Sequence, residues 1–361
     1  MSPAQIELAS RRLRLGIANV GFWVLAAISG LCWLAGGGGN PIDPRLGLFI
    51  AVAAFGVQAV FDVIGGWWLM PDPRPTATVF LRRWVPGALG HTVVLAGVGL
   101  LSYASFVLTS GFAPAVLVAS IALALGRTHL LRLIGGASLS RNPRNGQTGI
   151  TAVVDDLAFT GGLVGFGRRA ESVLPAAWRE SLPKAELAVE VRRREWQIAK
   201  GLPGRAFLLV VIWNLLGASL GTIALGLATR APTNALLGYT CWMTLWTFGS
   251  LLVFPVLSRK VVFAADRAAA DSGLDVRQWI TRFPVLIGED GASRAAVQTI
   301  FYPIPAAAMR LSALANPTNG FVAGNLARNN LYYSWAAFTL LGRAVHCNAG
   351  RPALWVFPPS A

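Results

Sequence analysis

Few residues of this chain could carry chemistry in an apolar environment, and two of them are Asp62 and His91. Each interrupts a long apolar run, and an ionisable side chain at membrane depth indicates a functional site by default. If the two side chains meet, they could bind a proton or a charged substrate. Asp62 is close to one end of its run, however, and two glycines follow it. This position favours structural pairing inside a helix bundle, and the sequence leaves both interpretations open.

Residues that bind metals are scarce and scattered. The chain has three histidines and three cysteines, which are His91, His129, His346, Cys32, Cys241 and Cys347. Their spacing matches neither a disulfide framework nor a zinc knuckle, so we expect the cysteines to behave as small buried side chains. Asp155 and Asp156 form an adjacent carboxylate pair after a β-branched run, which favours a solvated turn over a metal or catalytic site. The sequence predicts no cofactor.

The composition excludes an ordinary soluble enzyme. Of the 361 residues, 54% are hydrophobic and 13% are charged, whereas soluble domains average about 25% charged residues. The mean hydropathy of +0.55 is typical of a chain embedded in a membrane. The 31 lysines and arginines outnumber the 16 acids. In a membrane protein an excess of basic residues indicates the orientation of the spans first of all. The sequence has no basic module with interleaved aromatic residues of the kind that binds nucleic acid.

Six apolar runs are candidates for transmembrane helices, since a span needs about 20 apolar residues. They cover residues 15–36, 47–70, 85–109, 112–125, 206–228 and 234–257. The fourth run is short, so it is either a short span or a re-entrant partner of the third. The sequence thus predicts a mainly α polytopic membrane protein with about six transmembrane helices.

The basic residues predict the orientation of these spans. The loops at 37–46, 110–114 and 229–233 hold only Arg45 and Arg230, which leaves 29 of the 31 basic residues on the opposite side. Loops rich in lysine and arginine are the cytoplasmic ones. We therefore expect a multi-pass protein of a bacterial-type inner membrane, with both termini in the cytoplasm and the first run retained as a signal anchor.

This topology divides the chain into four parts. They are an N-terminal membrane domain of about four spans (1–127), the first part of a cytoplasmic domain (128–205), a transmembrane hairpin (206–257), and the second part of that domain with an aromatic tail (258–361). The two cytoplasmic parts would fold together into one split, mostly helical domain. A β-branched run at 150–154 predicts a small β element, and residues 182–200, rich in Ala, Leu, Glu and Arg, predict a helix.

Short motifs stand in a recognisable order on both sides of the hairpin. They are Thr160-Gly161-Gly162-Leu163, Ile198-Ala199-Lys200-Gly201, the residues Ser258, Arg259, Ala265 and Asp266, and finally Tyr302-Pro303 and Arg310-Leu311. Their order around a membrane hairpin resembles that of the membrane-embedded gluzincin metallopeptidases, the family of the bacterial heat-shock protease HtpX and the CAAX prenyl proteases. The resemblance covers about residues 150–315 and implies a metallopeptidase-like fold for the split domain.

The resemblance also implies where a zinc site would lie, and the residues there do not suit zinc. The family's His-Glu-x-x-His motif falls on Arg193 to Gln197, and its third ligand falls on Val262. Arginine has no lone pair for a metal, and Arg194 stands in place of the general base. Glu195 is displaced by one residue, which rotates it about 100° around a helix. We therefore expect no catalysis, with the zinc-site positions lost at Arg193, Arg194, Gln197 and Val262.

A peptidase-like fold without its chemistry is expected to act by binding. The candidate contacts for another membrane subunit or anionic lipid are Arg168, Arg169, Arg192, Arg193, Gly217, Gly221, Trp335 and Trp355. The arginines would face anionic lipid or an acidic partner. The two glycines form a small-residue surface that packs either against the next span or against a partner. The aromatic stretch 331–357 could pack back on the split domain, lie at the membrane interface as an amphipathic segment or be covered by another subunit.

These observations rank three functions. The sequence favours a non-catalytic pseudopeptidase that serves as a scaffold, accessory or assembly subunit of a larger inner-membrane protein complex. The alternative is a membrane enzyme or transporter with a site near Asp62 and His91. An active membrane protease with a non-standard site is the least favoured.

Overall fold

The architecture is that of a computed structural model, which describes residues 3–36, 40–71, 73–141, 149–288, 297–298, 301–316 and 320–359. Its helices are α1 (Pro3–Ala35), α2 (Pro44–Val63), α3 (Ala77–Thr109), α4 (Ala113–Leu133), α5 (Ala176–Ser181), α6 (Lys184–Ala199), α7 (Leu202–Ala224), α8 (Pro232–Asp271), α9 (Arg277–Ile287), α10 (Ala307–Ala315), α11 (Leu326–Tyr333), α12 (Leu341–Ala344) and α13 (Pro352–Val356). Its strands are β1 (Ser138–Arg141), β2 (Gly149–Val153), β3 (Gly162–Val164) and β4 (Glu171–Pro175).

Within the described residues, six helices are long and apolar enough to cross a membrane, which confirms the predicted number: α1, α2, α3, α4, α7 and α8. The fourth apolar run, predicted to be a short span or a re-entrant segment, is a regular helix of 21 residues that continues to Leu133. Helix α8 runs for 40 residues, well beyond the apolar run. Both helices outlast their apolar runs because polar residues such as Arg127 and Ser258 find partners inside the protein.

The connections between the helices define two ends of the bundle. The ring of Phe112, after α3, stacks on that of Tyr239 in α8 with centroids 4.1 Å apart. The side chain of Asn234 accepts a hydrogen bond from the N–H of Ile42 at 2.9 Å. The α1–α2, α3–α4 and α7–α8 connections therefore lie together at one end, the hairpin end. The strands lie at the other, the sheet end, where Arg83 donates to the carbonyl of Asp155 at 3.2 Å.

The sheet has the strand order β1-β2-β4-β3. Strands β2 and β4 are parallel, with Ile150 opposite Val173, and the other two pairs are antiparallel. Strand β2 and helix α6 confirm the strand and the helix predicted around 150–154 and 182–200. Helices α5, α6, α8 and α9 enclose an apolar core beside β4 that includes Trp178. The segments before and after the α7–α8 hairpin thus pack together at the sheet end.

The chain after residue 320 enters the helix bundle. Helix α11 packs against α7 and α8, and Ala337 clusters with Phe106 and Tyr239 near the hairpin end. The chain then turns back, and α13 packs against α3 and α4. We call residues 321–359 the C-terminal segment. This segment belongs to the part of the chain assigned from sequence to the second part of the split domain, and it lies among the helices of the bundle. The aromatic stretch is thus packed inside the chain, against both the bundle helices and the sheet end, and not only against the split domain.

An irregular backbone can lie among apolar helices only where the protein satisfies its polar groups. Hydrogen bonds within turns satisfy the backbone of the C-terminal segment, for example the one that the N–H of Phe338 donates to the carbonyl of Trp335 at 2.9 Å. Asn348 donates to the carbonyl of Gly342 at 2.6 Å, and its own carbonyl accepts from the indole of Trp355 at 2.7 Å. The C-terminal segment is therefore rich in apolar residues because it is buried among the helices.

Glycines bring the C-terminal segment into direct backbone contact with the end of α2. A Cβ on Gly66, in a π-helical turn after α2, would lie 2.3 Å from the carbonyl oxygen of Gly350. A Cβ on Gly350 would lie 2.0 Å from the carbonyl oxygen of Asp62. The φ of Gly350 is +69°, a conformation that side chains disfavour. Both positions therefore require glycine.

Replacing Gly66 by alanine should displace the C-terminal segment from α2. We expect Gly66→Ala to lower the free energy of unfolding by about 1–3 kcal/mol, because extra atoms in a packed core cause strain. The matched control is Gly56→Ala in α2, where a Cβ would meet nothing within 4 Å. Thermal unfolding in detergent and limited proteolysis of the C-terminal segment measure the effect. Equal behaviour of the two variants would contradict this packing.

Candidate functional site

Helix α6 carries the positions at which the metallopeptidase resemblance would put the zinc helix motif. It begins after Pro183 and ends before Gly201, whose φ is +66°. Arg193, Arg194 and Gln197 lie on its buried face. Charged side chains are almost never buried without a partner. The partners of these arginines therefore decide what the site can do.

Arg193 is enclosed between two carboxylates. Its Nη1 lies 2.6 Å from Oε2 of Glu190 on the same helix, and its Nε lies 2.8 Å from Oδ1 of Asp266 on α8. Asp266 also accepts two hydrogen bonds from Arg310 on α10, at 2.7 and 2.8 Å. Two-pronged contacts of this kind between arginine and carboxylate are among the strongest ion pairs. These ion pairs join α6, α8 and α10 at the sheet end.

Arg194 points from α6 toward the sheet. Its Nε lies 2.6 Å from Oε1 of Glu190. Its Nη1 donates to the carbonyl of Val173 in β4, and its Nη2 donates to the carbonyl of Thr160 before β3, both at 2.6 Å. Arg194 thus connects α6 to the Thr160–Leu163 motif. The buried ion network consists of Glu190, Arg193, Arg194, Asp266 and Arg310.

The charges of this network stabilise one another. Burial alone would raise the pKa of the Glu190 carboxyl, but Arg194 and Arg193 outweigh that effect, and the pKa is lowered. Burial would lower the pKa of Arg193, but Asp266 and Glu190 outweigh it, and the pKa is raised. The carboxylate and the guanidinium therefore both remain ionised at neutral pH.

These residues do not fit a zinc ion. Zinc takes lone pairs from nitrogen, sulfur or carboxylate ligands, whereas Arg193 and Arg194 can only donate hydrogen bonds. Val262, on the facing side of α8, is 1% exposed and has no polar atom in its side chain. Glu195 faces outward with 58% of its side chain exposed, as its displacement by one residue predicts. Within the described residues, no three His, Cys, Asp or Glu side chains converge.

The structure brings Asp62 and His91 together through Arg343 of the C-terminal segment. The Nε of Arg343 donates to Oδ2 of Asp62 at 2.8 Å, and its Nη1 lies 3.2 Å from Nδ1 of His91. Because arginine only donates, Nδ1 of His91 accepts, which leaves the ring proton on Nε2. The guanidinium also lies over the ring of Trp355, 4.0 Å from its centroid.

Asp62 has little acceptor capacity left for a substrate. The amide of Gln58 and the N–H of Gly350 donate to its Oδ1 at 3.1 and 3.0 Å. The indole of Trp84 donates to its Oδ2 at 3.0 Å, beside Arg343. Asp62 is itself fully buried. The geometry therefore favours the structural interpretation, in which Asp62 holds the C-terminal segment in the bundle.

The adjacent carboxylates Asp155 and Asp156 point in different directions. Asp155 is on the surface, with its Oδ2 2.9 Å from Nη2 of Arg83. Asp156 turns inward and accepts a hydrogen bond from Nε of Arg351 at 2.8 Å. The prediction of a solvated turn fits Asp155, whereas Asp156 pairs with the C-terminal segment. The two carboxylates do not form a joint site.

Several of the predicted contact residues are covered by the chain itself. Gly217 and Gly221 lie against the indoles of Trp246 and Trp242 in α8, where a Cβ would come within 2.5 and 2.3 Å of the ring atoms. These glycines pack against the next helix, and they correct the prediction of a partner contact. The same correction applies to three further buried residues, Arg193, Trp335 and Trp355. The two tryptophans belong to the core within the C-terminal segment, and Arg193 is paired with Asp266 of α8.

Two predicted contact residues remain on the surface. Arg169 and Arg192 are exposed, and the 3-10 turn that carries Arg169 packs against α6. Arg192 lies 3.8 Å from Glu195 in an exposed pair. The side chain of Arg168 lies outside the described part of the structure. Arg169 and Arg192 therefore keep their status as candidate contacts.

The sequence did not predict which arginine pairs with each buried acid, although Asp266 and Arg310 belong to the motifs that carry the resemblance. Each arginine lies far along the chain from its acid, in the pairs Asp62–Arg343, Asp156–Arg351 and Asp266–Arg310. One signal for them exists, since Arg343 interrupts an apolar and aromatic stretch where a cation needs a buried anion. Sequence spacing could not say which acid it would meet.

Removing the shared carboxylate should weaken the buried ion network. We expect Glu190→Gln to lower the free energy of unfolding by about 3–5 kcal/mol, because two buried guanidinium groups lose their common partner. Glu195→Gln on the same helix is the control, with an expected change of about 0–1 kcal/mol for an exposed pair. Unfolding in detergent measures both. A similar loss in the two variants would contradict the role given to Glu190.

The difference between wild type and Glu190→Gln should depend on pH. Because the pKa of Glu190 is lowered in the folded state, its carboxylate contributes stability above the unfolded pKa of about 4.3 and loses it as pH falls through the folded value. The two proteins should therefore converge in stability at acid pH. Unfolding followed from neutral to acid pH tests this, and a constant gap would contradict it.

Breaking the Asp62–Arg343 pair should release the C-terminal segment. We expect Arg343→Gln to cost about 3–5 kcal/mol of unfolding free energy, because it leaves a buried carboxylate uncompensated. Adding Asp62→Asn should recover part of that loss in a double-mutant cycle. Arg267→Gln, which removes an exposed pair with Asp271, is the control. Additive effects of the two bundle substitutions would contradict direct pairing.

No protein-family model matches the chain, and no curated protein matches it. The function is therefore argued from the residues and their geometry.

Proposed function

We propose that the chain is a non-catalytic membrane protein with a metallopeptidase-like fold, acting as a scaffold, accessory or assembly subunit of a larger membrane protein complex. The buried ion network is the observation that carries this proposal. Arg193 and Arg194, each paired with a carboxylate, stand where a related enzyme would need zinc ligands and a base. Neither side chain can supply a lone pair at neutral pH.

The network supplies the structural role of a metal without its chemistry. A bound metal joins the elements that provide its ligands. Here Arg193 joins α6 to α8, Arg310 joins α10 to α8, and Arg194 joins α6 to the sheet. A fold that keeps these joints has no need of a metal for stability. We therefore infer that the protein acts through a surface that binds another subunit or lipid.

The proposal also covers the orientation of the chain and the membrane in which it lies. The two basic residues assigned to the short loops, Arg45 and Arg230, lie at the hairpin end, where Arg230 donates to the carbonyl of Leu34 at 3.1 Å. The remaining 29 of 31 basic residues fall toward the sheet end by the same assignment. The positive-inside rule then puts the sheet end and both termini in the cytoplasm of a bacterial-type cell, with the helices in its inner membrane.

The proposed contact surface is the basic face formed by Arg169 and Arg192. Both are exposed, and the elements that carry them are packed together, so their positions are defined. Exposed guanidinium groups at this end suit an acidic surface of a neighbouring subunit or anionic lipid headgroups. The Asp62 region is not the preferred site, because Arg343 already occupies its carboxylate.

Mild-detergent purification of the tagged chain tests the proposal. We expect a membrane protein to copurify in constant ratio, and no stoichiometric zinc. Arg169→Ala with Arg192→Ala should lower the copurified amount about fivefold, since rim charges contribute on the order of 0.5 kcal/mol each. Arg11→Ala with Arg277→Ala, two exposed arginines elsewhere, is the matched control and should retain the partner.

Two results would overturn the proposal. One is a chain that purifies alone and monodisperse from native membranes. The other is one zinc per chain together with peptide cleavage that a chelator abolishes, which would restore the protease hypothesis.

A further inference from the structure

A cavity opens at the sheet end between α4, α6, α7 and α11, beside the buried ion network. Its volume is about 50 Å³, and the charged side chains of the described residues that line it are Arg127, Arg194, Arg328 and Glu190. A buried water needs on the order of 10–15 Å³ of such space. The cavity thus has room for a small group of several atoms. Three guanidinium groups from three helices converge on it.

The cavity has more positive than negative charge. Glu190 is already shared with the buried ion network through its pair with Arg194. Arg127 donates to the carbonyl of Val356 at 3.1 and 3.0 Å and to the amide oxygen of Asn329 at 3.3 Å. Neutral oxygens satisfy hydrogen-bond donors, but they do not cancel a charge. The charge of Arg127 is therefore not neutralised by these contacts.

Arg328 of α11 is another buried arginine in the lining of the cavity. Its Nη2 donates to the carbonyl of Gly161, and a Cβ on Gly162 would lie 2.7 Å from its Nη1. Burial, followed by the charges of Arg127 and Arg194, outweighs the opposing effect of Glu190 and holds the pKa of Arg328 well below its usual range. A cation in these surroundings is stabilised by an anion nearby.

The first turn of α7 faces the same cavity. Leu202, Pro203 and Ala206 line it, and Gly201, the residue before the helix, provides no side-chain cap. The N-terminus of a helix carries partial positive charge and unsatisfied N–H groups, which favour anions. In a helix of 23 residues this dipole is fully developed. The helix end and the arginines therefore act in the same direction.

We propose that this cavity binds an oxyanion of the phosphate type, as inorganic phosphate or as the phosphate of a lipid headgroup. Guanidinium groups match the oxygen geometry of phosphate. Ala124 of α4 and Phe207 of α7 line the same cavity, and both helices are apolar enough to cross a membrane. A lipid headgroup here would lie next to the hydrocarbon that its chains require. The site is independent of the scaffold role proposed above.

Two variants of the full-length chain test the site in different ways. Arg328→Gln removes one cation. Ala124→Phe keeps every charge and fills the cavity, so it decides the question if the first variant does not fold. The matched control is Ala122→Phe, which adds the same ring at an exposed position of α4. Each protein is delipidated in maltoside detergent, and its unfolding midpoint is followed at constant ionic strength.

One arm of the experiment adds inorganic phosphate in place of chloride, and the other adds phosphatidic acid in place of phosphatidylcholine. We expect a rise in the midpoint for wild type and Ala122→Phe, and an apparent affinity about tenfold lower in both site variants. A response to both ligands identifies the bare anion as sufficient, and a response to the lipid alone identifies a headgroup site. No rise in either arm, or equal affinity in wild type and Ala124→Phe, would overturn the proposal.

Discussion

The ion pair between Asp62 and Arg343 is buried inside the helix bundle, and the position of the C-terminal segment depends on it. Neither charge could remain buried alone, because desolvation of an ion costs several kcal/mol unless an opposite charge replaces the water. Trp84 and the backbone of Gly350 complete the contacts of the carboxylate. With Arg343 held there, the chain around it fills the space between the helices. An aromatic stretch whose position the sequence left open becomes part of the core of the protein.

The same constraint acts again at the sheet end. Asp266 lies between Arg193 and Arg310, and Asp156 meets Arg351. In each case the acid and the arginine belong to different elements of the fold, so the ion pair also fixes how those elements pack. Breaking such a pair is costly because it strands a charge, although replacing both partners by apolar groups can be neutral. These pairs therefore specify the arrangement of the helices more than they add net stability.

Excess arginine gives this protein two different kinds of site. Where carboxylates are available, as at Glu190 and Asp266, the guanidinium groups are neutralised, and they offer no lone pair to a metal. Around Arg127 and Arg328 the arginines outnumber the one carboxylate that lines the cavity, Glu190, so the proposed anion site keeps a positive charge. The two sites are adjacent and share Glu190 and Arg194. An interior site with more cations than carboxylates can recognise an anion, as we propose for this cavity.

Much of the fold follows from local patterns in the sequence. Six apolar runs, a β-branched strand and a helix at 182–200 depend on periodicity, length and composition, which are local properties, and the structure has each of them. The unsuitability of Arg193 and Arg194 for zinc also follows from residue type alone. Only the tertiary structure decided that Asp62 meets Arg343, that Trp335 and Trp355 are core, and that Gly217 packs on Trp246. These contacts join residues tens to hundreds of positions apart, and which acid an arginine meets is set by helix packing that no local pattern encodes.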